Sequence, residues 1–334
     1  MLIGNQTWLF ENKPVIVSTG TVAGPLEAEG NLREDIDHFY DDVWLDQPSF
    51  EQAQTILMED ASKIAIQKSG LSQESMQFFI SGDLINQITP TTFAAKTLGL
   101  PYFGLFSACA TSMESLALSA MIINGGGADY ILSGISSHHA ATEKQFRYPT
   151  EYGGQSPPTA QWTVTGAGCA VVGKLGKGPK ITSATIGNVV DLGITDPFNM
   201  GEAMAPAAVD TIIAHLNDRR ILPNYYDLII TGDLGKIGRQ TALQLLEDND
   251  IQLPEQQFLD CGVLIYTDEQ PVLAGGSGAA CSAVVLYSHI FRLLQSGVVR
   301  RVLIAATGSL HSPLSIQQKK SIPTIAHAVS IEME

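Results

Sequence analysis

Gly104-Leu-Phe-Ser-Ala-Cys109-Ala-Thr-Ser-Met-Glu-Ser-Leu-Ala-Leu-Ser-Ala-Met-Ile-Ile-Asn124-Gly-Gly-Gly127 is the stretch from which the architecture can be worked out. A short apolar run ends at a cysteine, a segment dense in small residues follows at once, and three glycines stop it. The pattern predicts a strand, a turn carrying Cys109 and a helix over 111–124. Ala108, Ala110, Ser112, Ser115, Ala117, Ser119 and Ala120 allow that helix to lie close against other backbone, as a helix at the centre of a domain must. The turn sets one thiol at a helix N-terminus, whose free N–H groups and dipole are expected to favour a thiolate.

Two phrases on either side of this stretch recur. Phe78-Phe-Ile-Ser-Gly-Asp-Leu84 returns 150 residues later as Leu228-Ile-Ile-Thr-Gly-Asp-Leu234, and helix-like segments, 52–69 and 208–217, precede the two copies. Gly127-Ala-Asp-Tyr-Ile-Leu-Ser-Gly-Ile-Ser136 returns 170 residues later as Gly297-Val-Val-Arg-Arg-Val-Leu-Ile-Ala-Ala306, after small-residue helices over 111–124 and 280–295. An extra segment, 246–271, accounts for the unequal offsets. Helix–strand phrases repeated in one order imply two α/β halves of similar topology. The turn Gly173-Lys-Leu-Gly-Lys-Gly-Pro179 separates two strand-like runs, 168–172 and 180–186, and divides the chain into an N-terminal half, 1–178, and a C-terminal half, 179–334. The tract 145–162, with its prolines, glycines and aromatics, reads as a long ordered loop of the kind that borders binding sites.

The composition excludes several classes. At 334 residues and 45% hydrophobic, the chain can bury one large core or two fused ones. Nineteen basic against 34 acidic residues give a formal charge of −15, which disfavours basic-patch binding to nucleic acid or an anionic membrane. The N-terminus lacks the pattern of a signal peptide, and apolar runs such as 298–306 are too short to span a bilayer and carry Arg300 and Arg301. The chain is therefore expected to be soluble. Cys109, Cys169, Cys261 and Cys281 read as free thiols of a reducing compartment, and their spacing gives no metal site.

The cysteine turn, the duplication, Thr165-Gly-Ala-Gly-Cys-Ala-Val-Val172 and Ala274-Gly-Gly-Ser-Gly-Ala-Ala280 together resemble the thiolase superfamily. That resemblance implies an α/β fold, a thiolase-like five-layered αβαβα sandwich built from two similar halves, with one central helix from each half between the sheets. Longer phrases narrow it. Gln145-Phe-Arg-Tyr-Pro-Thr-Glu-Tyr-Gly-Gly154, Asp191-Leu-Gly-Ile-Thr-Asp-Pro-Phe198, Met204-Ala-Pro-Ala-Ala208 and Ser321-Ile-Pro-Thr-Ile-Ala-His327 resemble the SpoVAD family of endospore-forming bacteria. The resemblance implies a binder of dipicolinate (pyridine-2,6-dicarboxylate) in the SpoVA group, which moves this acid into the developing spore and out at germination. It further implies peripheral docking onto the integral SpoVA membrane proteins at the spore inner membrane, and, as in thiolases generally, a homodimer.

Claisen condensation and thiolysis need a base and oxyanion donors besides a nucleophile. Thiolases and ketoacyl synthases draw these from two loops of the second half, which carry His-x-x-Asn or Asn-Glu-x-Phe, and Gly-Asn-Thr-Ser or Gly-Gly-Ala-Ile with a nearby His. The matching phrases here, Thr231-Gly-Asp-Leu-Gly-Lys-Ile-Gly238 and Ala274–Ala280, hold neither His nor Asn. The expectation is a binding protein with no catalytic residue and no cofactor. The alternatives are an acyl-thioester condensing enzyme using Cys109, with His311 standing in for the lost base, and a scaffold with a vestigial pocket.

A flat dicarboxylate needs donors held in a plane. The candidates are Cys109 with the helix-start N–H groups of Ala110 and Thr111, and the backbone-rich loop Gly275, Gly276 and Ser277 facing them. Ser136, Ser137 and His138 end the strand after the central helix, where α/β folds place ligands, His311 lies in the C-terminal loop, and Arg147 has the geometry for bidentate pairing. Asp83 and Asp233 follow strands and read as residues that cap helices or bond backbone. The net charge repels a dianion within the screening length, so the near-neutral calcium chelate is expected to be tolerated at least as well as the free acid.

Overall fold

The structure is a computed structural model that describes residues 1–146 and 156–333. The tract 147–155, including Arg147, lies outside the described residues. Among the described residues, ten strands build the two main sheets, which run on into one another. In the first half these are β1 (Val15–Ala23), β2 (Phe78–Gly82), β3 (Tyr102–Leu105), β4 (Tyr130–Ser137) and β5 (Gly166–Gly173). In the second they are β6 (Lys180–Ile186), β7 (Leu228–Thr231), β8 (Phe258–Asp260), β9 (Arg301–Ser309) and β10 (Thr324–Glu332).

The spatial order is β1-β5-β4-β2-β3 in one sheet and β6-β10-β9-β7-β8 in the other: first, fifth, fourth, second, third in both. Directions repeat too. The first–fifth and fifth–fourth pairs are antiparallel, and the fourth–second and second–third pairs are parallel. The sheets touch where Lys180 pairs with Val15. The duplication read from two short phrases is thus a duplication of topology.

Period-two alternation assigns the two faces of each sheet. Ile80, Ile131, Val172, Ile230, Ile304 and Val329 face a shared central core, while their neighbours Phe79, Leu132 and Val171, or Ile229, Leu303 and Ala328, face one of two outer cores. With both faces covered, these strands read as almost continuous apolar runs. The central layer holds α3 (Thr111–Asn124) and α7. The latter runs as α-helix over Ala279–Val285, as a π-turn over Leu286–Ile290 and as α-helix again over Phe291–Ser296. Met113, Leu116 and Ala120 of α3 and Ala280, Val284 and Leu294 of α7 fill this layer.

Helices α1 (Phe50–Ser69) and α2 (Thr89–Leu98) cover the outer face of the first sheet; α5 (Met200–Arg219) and α6 (Gly235–Asp248) cover that of the second. Two short helices, α4 (His139–Phe146) after β4 and α8 (Pro313–Gln317) after β9, lie beside the ends of the central strands. This is the five-layered αβαβα sandwich that the resemblance implied. Among the described residues no helix is long and apolar enough to cross a membrane.

Candidate functional site

The turn between β3 and α3 is held from within. The Ser107 N–H donates to Thr111 Oγ1 at 2.7 Å, and that hydroxyl donates to the Ala108 carbonyl at 2.7 Å. Ala108 carries a φ of 49°, an uncommon conformation for a residue with a Cβ, and this turns the chain so that Cys109 is presented toward the second half. Gly308 of β9 lies flat against the turn, and a Cβ there would come within 2.3 Å of the Ser107 carbonyl oxygen.

Cys109 forms part of the floor of a cavity of about 280 Å³ between the halves. Leu84, Phe106, Phe146, Phe198, Met200 and Met204 give it apolar walls. Its polar lining includes Asp233, Ser277, Ser309, His311 and, on α4, Glu143. His311 Nδ1 lies 2.9 Å from Ser309 Oγ, and its ring packs 5.4 Å from that of Phe146. No lysine or arginine is among the described residues lining the cavity, and no group of three metal-ligating side chains occurs among the described residues.

Asp233 dominates the floor. Its Oδ1 accepts from Thr307 Oγ1 at 2.8 Å, and its Oδ2 accepts from the Gly278 N–H at 3.0 Å and Ser277 Oγ at 3.3 Å. The Cys109 thiol also hydrogen-bonds this carboxylate. Burial pushes the Asp233 carboxyl up to about 6, against the pull of these donors. Burial also pushes the Cys109 thiol well above the usual thiol range, and the neighbouring Asp233 charge and hydrogen bond push it the same way. The expected thiolate is therefore corrected. A helix N-terminus favours the anion, but removal from water and a carboxylate in contact with the sulfur outweigh it.

The predicted ligand residues divide into two groups. Cys109, Ser277 and His311 line the cavity. Ala110 and Thr111 are fully buried, and their N–H groups, expected as an anion cradle, already donate to the Ser107 and Ala108 carbonyls. Ser136 Oγ accepts from Gln54 Nε2, away from the cavity. Ser137 ties the halves together, donating to the Val164 carbonyl at 2.7 Å and accepting from the Ala280 N–H at 3.0 Å. His138 is buried with Nε2 2.7 Å from the Val43 carbonyl. Gly276 pairs with Trp162 in a two-stranded ladder, and the Gly275 carbonyl accepts from the Trp162 N–H. Arg147 lies outside the described residues.

Sequence reasoning gave Asp233 a helix-capping or backbone-bonding role and passed over Glu143 and the aromatic walls. The available signal was the repeated Gly-Asp-Leu phrase, which marked Asp233 without revealing that it faces Cys109.

Two mirrored halves with a cysteine turn and a cavity between them define a thiolase-like fold. Solved structures agree. The chain matches a 3-oxoacyl-[acyl-carrier-protein] synthase III from Aquifex aeolicus with a TM-score of 0.59 at 15% identity, covering 96% of this chain and 99% of that one. Human mitochondrial 3-ketoacyl-CoA thiolase in complex with CoA matches with a TM-score of 0.61 at 12% identity, covering 97% and 98%. At such identities these likenesses show the fold alone.

The family model for stage V sporulation protein AD (SpoVAD) matches residues 4–332, and the stage V sporulation protein AD of Bacillus subtilis (strain 168) is 49% identical over 331 residues, covering 99% of this chain and 98% of that protein. The chain belongs to the SpoVAD family of sporulation proteins.

Proposed function

We propose that this SpoVAD-family chain is a binding protein without acyl-transfer catalysis, and that its cavity takes dipicolinate during sporulation and germination. The observation that carries the reading is the contact between Cys109 and Asp233. A condensing enzyme needs a thiolate and a base that removes its proton; here burial, with the Asp233 carboxylate beside it, pushes the thiol well above its usual range. The cavity suits a single planar ring, with aromatic and methionine walls and polar groups gathered on the floor. Its acidic lining favours the calcium chelate at least as much as the bare dianion. The net charge and the lack of a spanning helix among the described residues fit a chain that reaches the spore inner membrane by docking, as a monomer or homodimer, onto the membrane proteins of the SpoVA group.

Calorimetric titration with dipicolinate, with and without calcium, and with the 2,4-isomer tests this. The expected result is saturable heat for the 2,6-isomer only, weakened in Cys109→Ala, with calcium leaving the affinity equal or higher. One observation favours a second reading, an acyl-thioester enzyme: His311 and Asp233 both reach the cavity that holds Cys109. Incubation with acyl-CoA and intact-mass measurement decides it. A stable acyl adduct on Cys109 would overturn the binding-only reading, and no heat with any dicarboxylate would leave a scaffold.

A further inference from the structure

A dicarboxylate entering this cavity meets carboxylates. Asp233 lies on the floor and Glu143 on the wall, and no lysine or arginine is among the described lining residues. We propose that the cavity takes its dicarboxylate together with one proton, held on Asp233 in the loaded state and returned to solvent when the ligand leaves. The inference rests on the dicarboxylate reading above and adds a co-ligand to it.

The hydrogen bonds show why Asp233 suits this role. The protein buries three strand-end aspartates, Asp83, Asp233 and Asp260. Backbone N–H groups occupy both oxygens of Asp83: Ile85 on Oδ1, Thr91 on Oδ2. They also occupy both oxygens of Asp260: Gly235 and Val263 on Oδ1, Leu234 on Oδ2. Hydroxyls also reach Asp83 (Thr91 Oγ1) and Asp260 (Thr231 Oγ1), but neither of these two aspartates is among the described residues that line the cavity. Asp233 differs. The Gly278 N–H engages Oδ2, while Oδ1 is met by the Thr307 hydroxyl. A hydroxyl rotates from donor to acceptor, so Oδ1 can carry a proton and donate it to Thr307 or to a ligand oxygen with the backbone unmoved.

The groups facing Asp233 act in the same direction. Cys109 before α3, Cys261 after β8 and Cys281 on α7 are thiols raised by burial and by the Asp233 charge, so they stay neutral. The Asp260 carboxyl, at the end of β8, is raised chiefly by burial, with Asp233 adding to it. No lysine or arginine is among the described residues that line the cavity with Asp233. Burial pushes its carboxyl up to about 6. A ligand carboxylate in the same space adds a like charge, which raises it further and draws a proton from solvent near neutral pH. Glu143 and His311 also face the cavity, and His311 is the competing proton acceptor.

The test is calorimetry of the full chain with dipicolinate in calcium-free buffer between about pH 6 and 8, in two buffers of different ionisation enthalpy. The expected result is uptake approaching one proton per ligand near pH 7, with Kd weakening by up to about tenfold per pH unit on the alkaline side. Asp233→Asn is expected to remove both the uptake and the slope. His311→Gln is expected to keep the slope, whatever it does to affinity. Binding without proton exchange in the wild-type chain overturns the inference and leaves the dicarboxylate reading standing, and this count holds even if Asp233→Asn fails to fold. A wild-type slope in Asp233→Asn, or a slope lost in His311→Gln, overturns it as well. No saturable heat at any pH overturns the parent reading and this inference with it.

Discussion

The same Gly-Asp-Leu phrase ends the second strand of each half, and the two copies do different work. Asp83 folds back on its own half, accepting from the Ile85 and Thr91 N–H groups and from Thr91 Oγ1, and so fixes the entry to α2. Asp233 turns away from its helix to meet Cys109, Ser277, Gly278 and Thr307. The start of α6 is instead held by Asp260, which reaches across from β8 to the Leu234 and Gly235 N–H groups. Duplication supplied two equivalent carboxylates; a third, at the end of a neighbouring strand, freed one of them for the cavity.

The largest effects should fall on the aspartates that hold backbone. Asp260→Ala and Asp83→Ala each strip a buried carboxylate from several donors and are expected to cost about 2–4 kcal/mol, read by urea unfolding. Asp233→Asn keeps one acceptor oxygen and removes a buried charge, so a loss within about 1 kcal/mol is expected from the same measurement. Equal losses at all three positions would dissolve the contrast between the halves.

A smaller effect tests the turn itself. Ala108→Gly relieves a positive φ that costs an L-residue roughly 1 kcal/mol, while glycine's greater freedom in the unfolded chain takes back a similar amount. Stability within about 0.5 kcal/mol of the wild type is therefore expected, whereas Ala108→Val should lose about 1–2 kcal/mol because a branched Cβ sits worse at φ 49°.

Much of the fold was legible because it rests on periodicity and repetition. The predicted helix over 111–124 has the observed bounds of α3, and the one over 280–295 lies within α7, although nothing local signals the π-turn at its middle. The helix over 208–217 starts too late: α5 begins at Met200 and carries Pro206 in its interior, where proline disfavours a helix. Gly201 and Gly238 let α5 and α6 approach so closely that a Cβ on Gly238 would sit 2.3 Å from the Gly201 oxygen.

The site was legible only in part. Cys109, Ser277 and His311 come from loops that the fold brings to the cavity between the halves. Asp233 could not be told from Asp83 by type or by neighbours in sequence, since the difference lies in which partner across the fold each carboxylate finds. The thiolate expectation failed for the same reason: the helix start is local, whereas the burial that opposes it comes from the packed halves and the carboxylate from the other half.

Burial and the Asp233 carboxylate together keep Cys109 protonated. The direct measurement is the rate of iodoacetamide alkylation of Cys109 from about pH 6 to 10, followed by peptide mass spectrometry in the wild-type chain and in Asp233→Asn. Only the thiolate reacts. With the thiol raised well above its ordinary range by burial and by Asp233, the wild-type rate should still be climbing at pH 9 without a plateau, and Asp233→Asn should react several-fold faster throughout. A wild-type plateau below about pH 7 would show an activated nucleophile and contradict the account.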